Sequence, residues 1–419
     1  MPSWSIIFHV THANPMSEDL IELANVSNPS LIKIIGVGGG GGNAVGQMYR
    51  DNIPEVRYLV TNSDSKALQD SPVPDQLQLG PGLGAGGDPV KGEELAEECL
   101  DKIKAIFDED TKMVFITAGM GGGTGTGASP VIAREARKLG ILTVGIVTIP
   151  FLFEREKQID KALDGLERLG KEVDAMLVIN NQRLCDIYPD MSVINAFKRA
   201  DETLSTAVSS ITEIISMHGR INLDFEDVRT VLTKGGVAVM STGYAEGENR
   251  VTRAIEAALN SPLLNNNDVY NANRILLSIT TSDDPRSTMR TNEIDEITEF
   301  MNRFPADIHT KWGFSLDRSL GEKIKVTILA SGFGLYSKKN SSRAELREQT
   351  LRNMENEKRN ELRGRYYQTP NKGKRRRHIF LFSGEDLLNP QLLAKVEEIP
   401  TYLRTGEILQ DIRTLSTQN

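Results

Sequence analysis

The sequence has few cysteines, the residues that form disulfides and bind metal ions in small proteins. Only two of its 419 residues are cysteines, Cys99 and Cys185, which excludes a disulfide framework and predicts a reducing compartment. No stretch of eighteen or more apolar residues occurs, so we predict no transmembrane helix and no direct membrane insertion. HExxH and CxxC patterns are also missing, which predicts no metal cage built from protein side chains. The expected localisation is cytoplasmic.

The sequence also has no excess of basic residues. The formal net charge of −8 argues against nucleic acid as a partner, and the basic cluster at 372–378 is interpreted as a solvated tail. The first fifteen residues have too little apolar length for a secretory signal, and Met16 is a hypothetical start of the native protein. At 419 residues the chain exceeds what one hydrophobic core usually serves, so we expect two domains plus tails.

Glycine, by contrast, is abundant and is concentrated in three turns, at 38–43, 83–89 and 119–127. Each turn leads from an apolar segment into a helical one. Glycine allows successive backbone N–H groups to converge on an anion, and the following helix adds the positive end of its dipole. Parallel strands would bring these turns to one sheet edge, which predicts a polyphosphate site. Because GxxxxGK[ST] does not occur, no P-loop lysine is available to balance the phosphate charge.

One alternative uses only the first of these turns. Gly36, Gly38 and Gly41 fit the GxGxxG spacing behind a strand, and Asp64 has the place of a ribose-binding acid. A chain that uses these residues as a dinucleotide site would be a nicotinamide-dependent oxidoreductase. A dinucleotide fold needs one such turn, however, whereas this chain has three.

Apolar periodicity predicts the main elements. The predicted helices lie at 44–50, 91–107, 128–139, 159–173, 192–216, 250–260 and 293–304. The strands predicted in the second half of the chain lie at 237–244, 274–281, 306–314 and 324–330.

The third turn, in its context TAGMGGGTGTGASPVIA, resembles the signature loop of the tubulin/FtsZ superfamily of GTPases and, within it, the FtsZ family. The strings GVGGGGGNAV, TNSDSKAL and LGAGGDP are similar to further loops of that family. The resemblance covers about 31–334 and a short terminal peptide. It implies an α/β fold, with a Rossmann-like GTPase domain on a parallel sheet, a long central helix, a second α+β domain and a flexible C-terminal tail.

The resemblance also divides the chain into segments. These are an N-terminal extension at 1–30, a GTP-binding domain with the central helix at 31–220, an α+β domain beginning with the catalytic loop at 221–334, a charged linker at 335–378, and a tail with a partner-binding peptide at 379–419.

The implied ligand is GTP or GDP, with Mg²⁺ on the phosphates keeping most of its waters. Asp201 matches the family residue whose carboxylate accepts hydrogen bonds from guanine N1–H and the 2-amino group. Phe197, one helical turn earlier, is implied to stack on the base. The implied nucleotide-binding residues are Gly38, Gly39, Gly40, Gly41, Gly42, Asn43, Asn62, Asp64, Ala85, Gly86, Gly121, Gly122, Gly123, Thr124, Gly125, Thr126, Gly127, Glu154, Asn181, Phe197 and Asp201.

The sequence departs from the family pattern close to Glu154. Arg155 replaces a family glycine, and Gln158 stands where the family has an arginine. Lys157 is a hypothetical replacement for that charge. Asp88 also stands in place of a family asparagine. For this loop we therefore assign nucleotide binding to Ala85 and Gly86 and not to Asp88.

The segment INLDFEDV at 221–228 supports a structural and a catalytic prediction. Asp224 precedes an apolar-periodic segment and Asp227 follows three residues later, which is the pattern of an N-cap with a capping box. The segment also matches the family's NLDFxD loop, which implies that Asn222, Asp224 and Asp227 are catalytic and complete the active site of the neighbouring subunit. The implied function is GTP-dependent head-to-tail polymerisation into the bacterial division ring at mid-cell. A non-hydrolysing paralogue is the alternative, and the retained acids argue against it.

The terminal segment resembles the family's binding peptide for other division proteins. The residues to which we assign partner binding are Ile399, Pro400, Tyr402, Leu403 and Arg404. The implied partners are a membrane tether of the FtsA kind, other division-ring regulators and, through the filament joint, further copies of the chain.

Overall fold

The structure is a computed structural model that describes residues 30–217, 219–260, 269–304 and 308–333, together with Asn389 and Gln391. Met16, the linker at 335–378 and the five residues of the terminal peptide lie outside these residues. In the part of the chain so described, no helix is long and apolar enough to cross a membrane.

Strands within the described ranges form one mixed sheet of eleven. They are Ile32–Val37 (β1), Val56–Asn62 (β2), Gln76–Gln78 (β3), Met113–Gly119 (β4), Leu142–Ile149 (β5), Ala175–Asn180 (β6), Gly219–Ile221 (β7), Gly236–Ala245 (β8), Arg274–Thr281 (β9), His309–Leu316 (β10) and Ile324–Phe333 (β11). Their order is β3-β2-β1-β4-β5-β6-β8-β11-β9-β10-β7.

The first six strands of that order are parallel to their neighbours, and β8 joins β6 in parallel as well. Antiparallel pairs then connect β8 to β11 and β11 to β9, whereas β9 and β10 are parallel. The sheet therefore continues from the first half of the chain into the second. The predicted domain boundary at 220/221 does not coincide with a break in the sheet, and the division into domains stays a prediction.

Helices cover both faces of the parallel strands. The described helices are Gly38–Asp51 (α1), Ser65–Gln69 (α2), Pro89–Glu97 (α3), Leu100–Ala105 (α4), Thr124–Lys138 (α5), Glu156–Glu172 (α6), Asn181–Ile187 (α7), Val193–Ser216 (α8), Phe225–Leu232 (α9), Arg250–Leu259 (α10) and Glu293–Met301 (α11). Because side chains alternate along a strand, Ile35 enters the core under α5 and α6, whereas Ile34 enters the core under α1 and α8. The predicted α/β fold with a parallel sheet is confirmed.

The long central helix α8 is confirmed as well. Ser192 caps it, because its hydroxyl oxygen accepts a hydrogen bond from the Asn195 N–H at 3.3 Å. Leu204, Val208 and Ile211 follow the helical period and are buried.

Several helices begin earlier than the sequence predicts, and α1 and α5 differ most. Helix α1 begins at Gly38 and not at 44, and α5 begins at Thr124 and not at 128. Local propensity places glycine outside helices, but close backbone packing here requires it inside them. At Gly127 a Cβ would overlap the carbonyl oxygen of Pro89 in α3.

The single helix predicted at 91–107 is two helices. The backbone leaves helical geometry at Cys99, with φ −105° and ψ 17°, between α3 and α4. Leu95 and Ile103, on either side of the break, both enter the same core. Neither glycine nor proline marks the break in the sequence, which is why the periodicity alone did not predict it.

Candidate functional site

The glycine turns meet at the carboxyl ends of β1, β2 and β4, as the parallel topology predicts. A Cβ on Gly38 would lie 2.7 Å from the Gly125 nitrogen, so the first turns of α1 and α5 touch. The hydroxyl oxygens of Ser63 and Thr124 are 2.6 Å apart and buried, which joins the end of β2 to the same place. A Cβ on Gly123 would lie 2.9 Å from that of Ala85, so the remaining turn lies alongside.

Helices α1 and α5 share the absence of a side-chain cap. The N-cap residues, Val37 of α1 and Gly123 of α5, make no side-chain cap hydrogen bond to the first turn of their helices. Other described helices, such as α2 and α3, have aspartate caps at Asp64 and Asp88. An α-helix leaves its first N–H groups without intrahelical partners, and its dipole is positive at this end. Two adjacent helix starts of this kind form a site suited to phosphate.

A cavity of about 390 Å³ lies beside the start of α1, and no residue of α5 or of the turns at 83–89 and 119–127 lines it. Four predicted residues of the first turn line it, Gly38, Gly39, Gly42 and Asn43. The predicted residues Asn62 and Asp201 line it from β2 and α8. Its volume lies in the range of small-molecule and cofactor sites.

Asp201 is the main electrostatic feature of the cavity. Burial raises the pKa of its carboxyl group to about 7, and the positive charge of Arg50 offsets part of this effect. The position of the carboxyl group is set by the packing of α8 on α1. One turn further along α8, the Ser205 hydroxyl donates a hydrogen bond of 2.7 Å to Asp51 at the end of α1. A buried carboxylate of this kind gains most from a ligand that supplies hydrogen-bond donors.

The other predicted nucleotide-binding residues, including the whole signature loop, do not line this cavity. Glu154, Asn181 and Phe197 are among them. The Asn181 Oδ1 atom is buried without a hydrogen-bond partner among the described residues, so a ligand donor would satisfy it. The Phe197 ring is 44% exposed and stands edge-on to Phe151, with 5.0 Å between ring centroids. Burial raises the pKa of Glu154, whose carboxylate accepts a 3.0 Å hydrogen bond from the Phe151 N–H.

Several predicted residues have structural contacts of their own. A Cβ on Gly41 would overlap the Thr117 carbonyl, and one on Gly40 would lie 3.2 Å from Gly119 Cα. The buried Thr126 hydroxyl accepts a 2.8 Å hydrogen bond from the Gly121 N–H, which orients the loop. Open space surrounds the Cβ directions of Gly86 and Gly122. For all of these residues, contact with a nucleotide stays a prediction.

The segment at 222–227 lies elsewhere on the sheet. Asp224 and Asp227 form the predicted capping box of α9, with hydrogen bonds of 2.9 and 3.2 Å between each carboxylate and the other's N–H. The Asn222 side-chain oxygen accepts a 2.7 Å hydrogen bond from the Gly219 N–H. The segment follows β7, and β7 pairs with β10. Strand β10 is the tenth strand in the sheet order, whereas β1 is the third. At ~4.8 Å per strand, the two sites are separated by roughly 30 Å.

Comparisons with known proteins agree with this geometry. A family model described as the Tubulin/FtsZ family GTPase domain matches residues 31–189, and models of two C-terminal FtsZ regions match 236–334 and 374–419. The cell division protein FtsZ of Porphyromonas gingivalis is 47% identical over 92% of this chain and 87% of its own length. An FtsZ dimer structure from M. jannaschii is similar at 34% identity and a TM-score of 0.67, over 80% of this chain and all of that one.

The chain belongs to the tubulin/FtsZ family. It is accordingly a tubulin-like GTPase of the cell-division type that binds a guanine nucleotide. The GTPase model covers all three glycine turns, which leaves the nicotinamide-dependent alternative without support.

The departures from the tubulin/FtsZ pattern at 155 and 158 have visible structural consequences. Arg155 has φ 73° and ψ 158°, a backbone conformation that is almost confined to glycine. Gln158 lies against the signature loop, because a Cβ on Gly121 would be 3.2 Å from its Cγ. The glutamine thus occupies space beside the loop without adding a charge.

Several residues of the cavity wall were not predicted from the sequence, and Gly46 and Arg50 are two of them. Gly46 and Arg50 follow Gly42 at intervals of four along α1, and all three line the cavity. That spacing places residues on one helix face and would have predicted them, had the helix been started at the glycines.

Proposed function

We propose that the chain binds GTP in the cavity beside α1 and α8 and hydrolyses it at the joint between two successive copies of itself. The observation that carries this proposal is the separation of the two sites within one chain. Asn222, Asp224 and Asp227 are roughly 30 Å from the glycine turns along the sheet, which is too far to act on a nucleotide in the same subunit. A second copy stacked head to tail would bring its acids to the first copy's nucleotide.

Such a contact joins two different surfaces of the chain. A heterologous contact that does not close into a ring produces an open filament, so that assembly and hydrolysis become one event. The FtsZ dimer of M. jannaschii, to which this chain is similar, is in keeping with self-association. We further propose that these filaments form the division ring at mid-cell, as the names of the related cell division proteins suggest.

The chain's own residues have separate tasks in this reaction. The backbone amides at the starts of α1 and α5 bind the phosphates, and ionised Asp201 accepts hydrogen bonds from guanine. Asp224 and Asp227 of the next subunit orient the attacking water and accept its proton as the γ-phosphate bond breaks. Among the described residues, no cluster of three metal-ligating side chains occurs. Mg²⁺ would therefore be held mainly by phosphates and water, where it offsets phosphate charge.

The nucleotide assignment is tested by light scattering with GTP, GDP and ATP. GTP should drive assembly, GDP should not, and ATP should be rejected by at least roughly 10²-fold, because adenine offers no paired donors to Asp201. Equal polymerisation with ATP would contradict the role of Asp201.

The shared active site is tested by substitutions of Asp224. Asparagine still caps a helix but carries no charge, so Asp224→Asn should keep the stability of α9 and lose hydrolysis. Asp224→Ala should lose the cap as well, at about 1 kcal/mol. Both variants should bind GTP and should inhibit wild-type filaments when mixed at less than an equal ratio. If they only dilute wild-type turnover, the acids act within their own subunit.

The terminal peptide completes the proposal. We propose that its five partner-binding residues, which lie outside the described part of the chain, recruit a membrane tether of the FtsA kind and other division-ring regulators.

A further inference from the structure

The segment with the three proposed catalytic residues rests on strand β10. Leu223, between Asn222 and Asp224, is 7% exposed and lies against Gly313 of β10, where a Cβ would overlap its side chain. Strand β7, which leads into the segment, also pairs with β10. Glycine at 313 therefore allows the segment to approach the strand closely.

Lys311 lies two residues before Gly313 and so on the same face of β10. Its Nζ atom is 3.0 Å from Asp227 Oδ1. The other oxygen of that carboxylate accepts the 3.2 Å hydrogen bond from the Asp224 N–H. Both oxygens of Asp227 are thus engaged, one by its own helix cap and one by β10.

The Lys311 ammonium group is charged at neutral pH. The hydrogen bond to Asp227, with the negative charges of Asp227 and Asp224, raises the pKa of Lys311. Its side chain is 54% exposed whereas that of Asp227 is 17% exposed, so the lysine reaches from solvent over the acid.

We propose that Lys311 is a positioning residue for GTP hydrolysis, which holds Asp227 in the orientation that meets the nucleotide of the next subunit. This inference rests on the function proposed above. Two carboxylates at one helix start repel each other and also repel an approaching polyphosphate. The ammonium group halves the net negative charge of the acid pair and ties one member to a rigid strand.

The contact differs from intrahelical lysine pairs in the described part of the chain in what it joins. Lys138 and Glu135, for example, are 2.8 Å apart but belong to the same turn of α5. Lys311 instead connects strand β10 to the first turn of helix α9. Such a contact fixes the start of the helix relative to the sheet, which an intrahelical pair cannot do.

Lys311→Met retains the aliphatic stem and removes the charge, and its GTP turnover is measured per assembled subunit after sedimentation. We expect turnover to fall roughly 3- to 10-fold, as for the loss of a partly exposed charge-assisted hydrogen bond that orients a reacting group. GTP affinity and thermal stability should stay near wild type, because neither the cavity nor the core is altered. Lys311→Arg should restore most of the turnover, and Lys138→Met, the matched control, should leave it unchanged.

A second arm separates this inference from the proposed function. Asp227→Asn should abolish most turnover, and adding Lys311→Met to that variant should cause little further loss. Normal turnover in Asp227→Asn would overturn the proposed function itself. Loss in Asp227→Asn together with normal turnover in Lys311→Met would overturn only the role of Lys311. A loss in Lys311→Met that persists at full size in the Asp227→Asn background would also overturn it, because the lysine would then act independently of that acid.

Discussion

The proposed contact of Asp201 with guanine would link nucleotide binding to pH. Its pKa is raised by burial from an ordinary 3.8 to about 7, so the nucleotide-free chain holds a proton there that the unfolded chain releases at lower pH. The stability that this proton contributes is fully present below about pH 4 and is lost as the pH rises through 7. Guanine supplies donors to the ionised form, so binding below pH 7 must displace the proton.

We therefore expect GDP affinity to be about tenfold weaker at pH 6 than at pH 8. Calorimetry at both values, in buffers of different ionisation enthalpy, measures the affinity and the released proton. Asp201→Asn should bind more weakly and should lose this part of the pH dependence. Because the variant binds the same titrating phosphate groups, it isolates the contribution of the aspartate. An unchanged pH profile in Asp201→Asn would contradict the assignment.

Arg155 stores backbone strain at the edge of the site. A non-glycine residue at φ 73° and ψ 158° costs on the order of 1–3 kcal/mol, whereas glycine adopts this conformation freely. We expect Arg155→Gly to stabilise the chain by about 1 kcal/mol after the entropy of the unfolded chain is included, and to raise Tm by about 2 °C. Arg155→Ala is the control, because alanine keeps the strain. Equal Tm values for the two variants would show that the position is not strained.

Helices α1 and α5 use glycine for two different purposes, although their sequences look alike. Gly127 faces the backbone of α3, which cannot rotate away, whereas no atom lies within 4 Å of a Cβ on Gly39. Gly127→Ala should therefore lose about 2 kcal/mol or more of unfolding free energy. Gly39→Ala should gain about 0.5–1 kcal/mol in the absence of nucleotide, because alanine favours an exposed helix position.

The same pair of variants separates packing from ligand contact. Gly39 lines the cavity, so its alanine variant should bind GTP more weakly despite its greater stability. Urea unfolding of the nucleotide-free chain and a GTP titration measure the two effects. A stabilised Gly39→Ala variant with normal GTP affinity would remove this residue from the proposed phosphate site.

At the scale of the whole molecule, the single sheet places the two halves of the proposed active site far apart. One half consists of the uncapped starts of α1 and α5, and the other of the acid pair at the start of α9, which contacts β10 through Lys311. In the proposed mechanism, each half is completed by a second copy stacked against it. Under this proposal, the distance between β1 and β10 in the sheet order is what makes hydrolysis depend on filament formation.

The terminal peptide gives the prediction at this scale. Deleting 397–419 should leave GTP turnover and filament formation near wild type, because no residue assigned to either proposed site lies there. The deletion should abolish recruitment to vesicles that carry a membrane tether of the FtsA kind. Vesicle co-sedimentation measures this recruitment, and undiminished binding by the truncated chain would refute the docking role of the peptide.

The sequence by itself determined the fold class, the three turns at one sheet edge and the capping box of α9. These features depend on local rules, because apolar runs specify buried strands, glycine permits close backbone approach, and an aspartate three residues before another specifies a helix start. The family resemblance added Asp201 and the acids at 222–227, whose roles no local pattern specifies.

Only the tertiary structure decided which residues of these motifs face the cavity. Gly39 and Gly127 are the same residue type in similar glycine runs, but one faces open space and the other a neighbouring helix. The contact of Lys311 with Asp227 is likewise invisible in the sequence, because 84 residues separate the two (311 − 227) and the sheet alone brings them together. Local propensity depends on a few neighbouring residues, whereas contacts of this kind depend on strand order and register, which the whole chain determines.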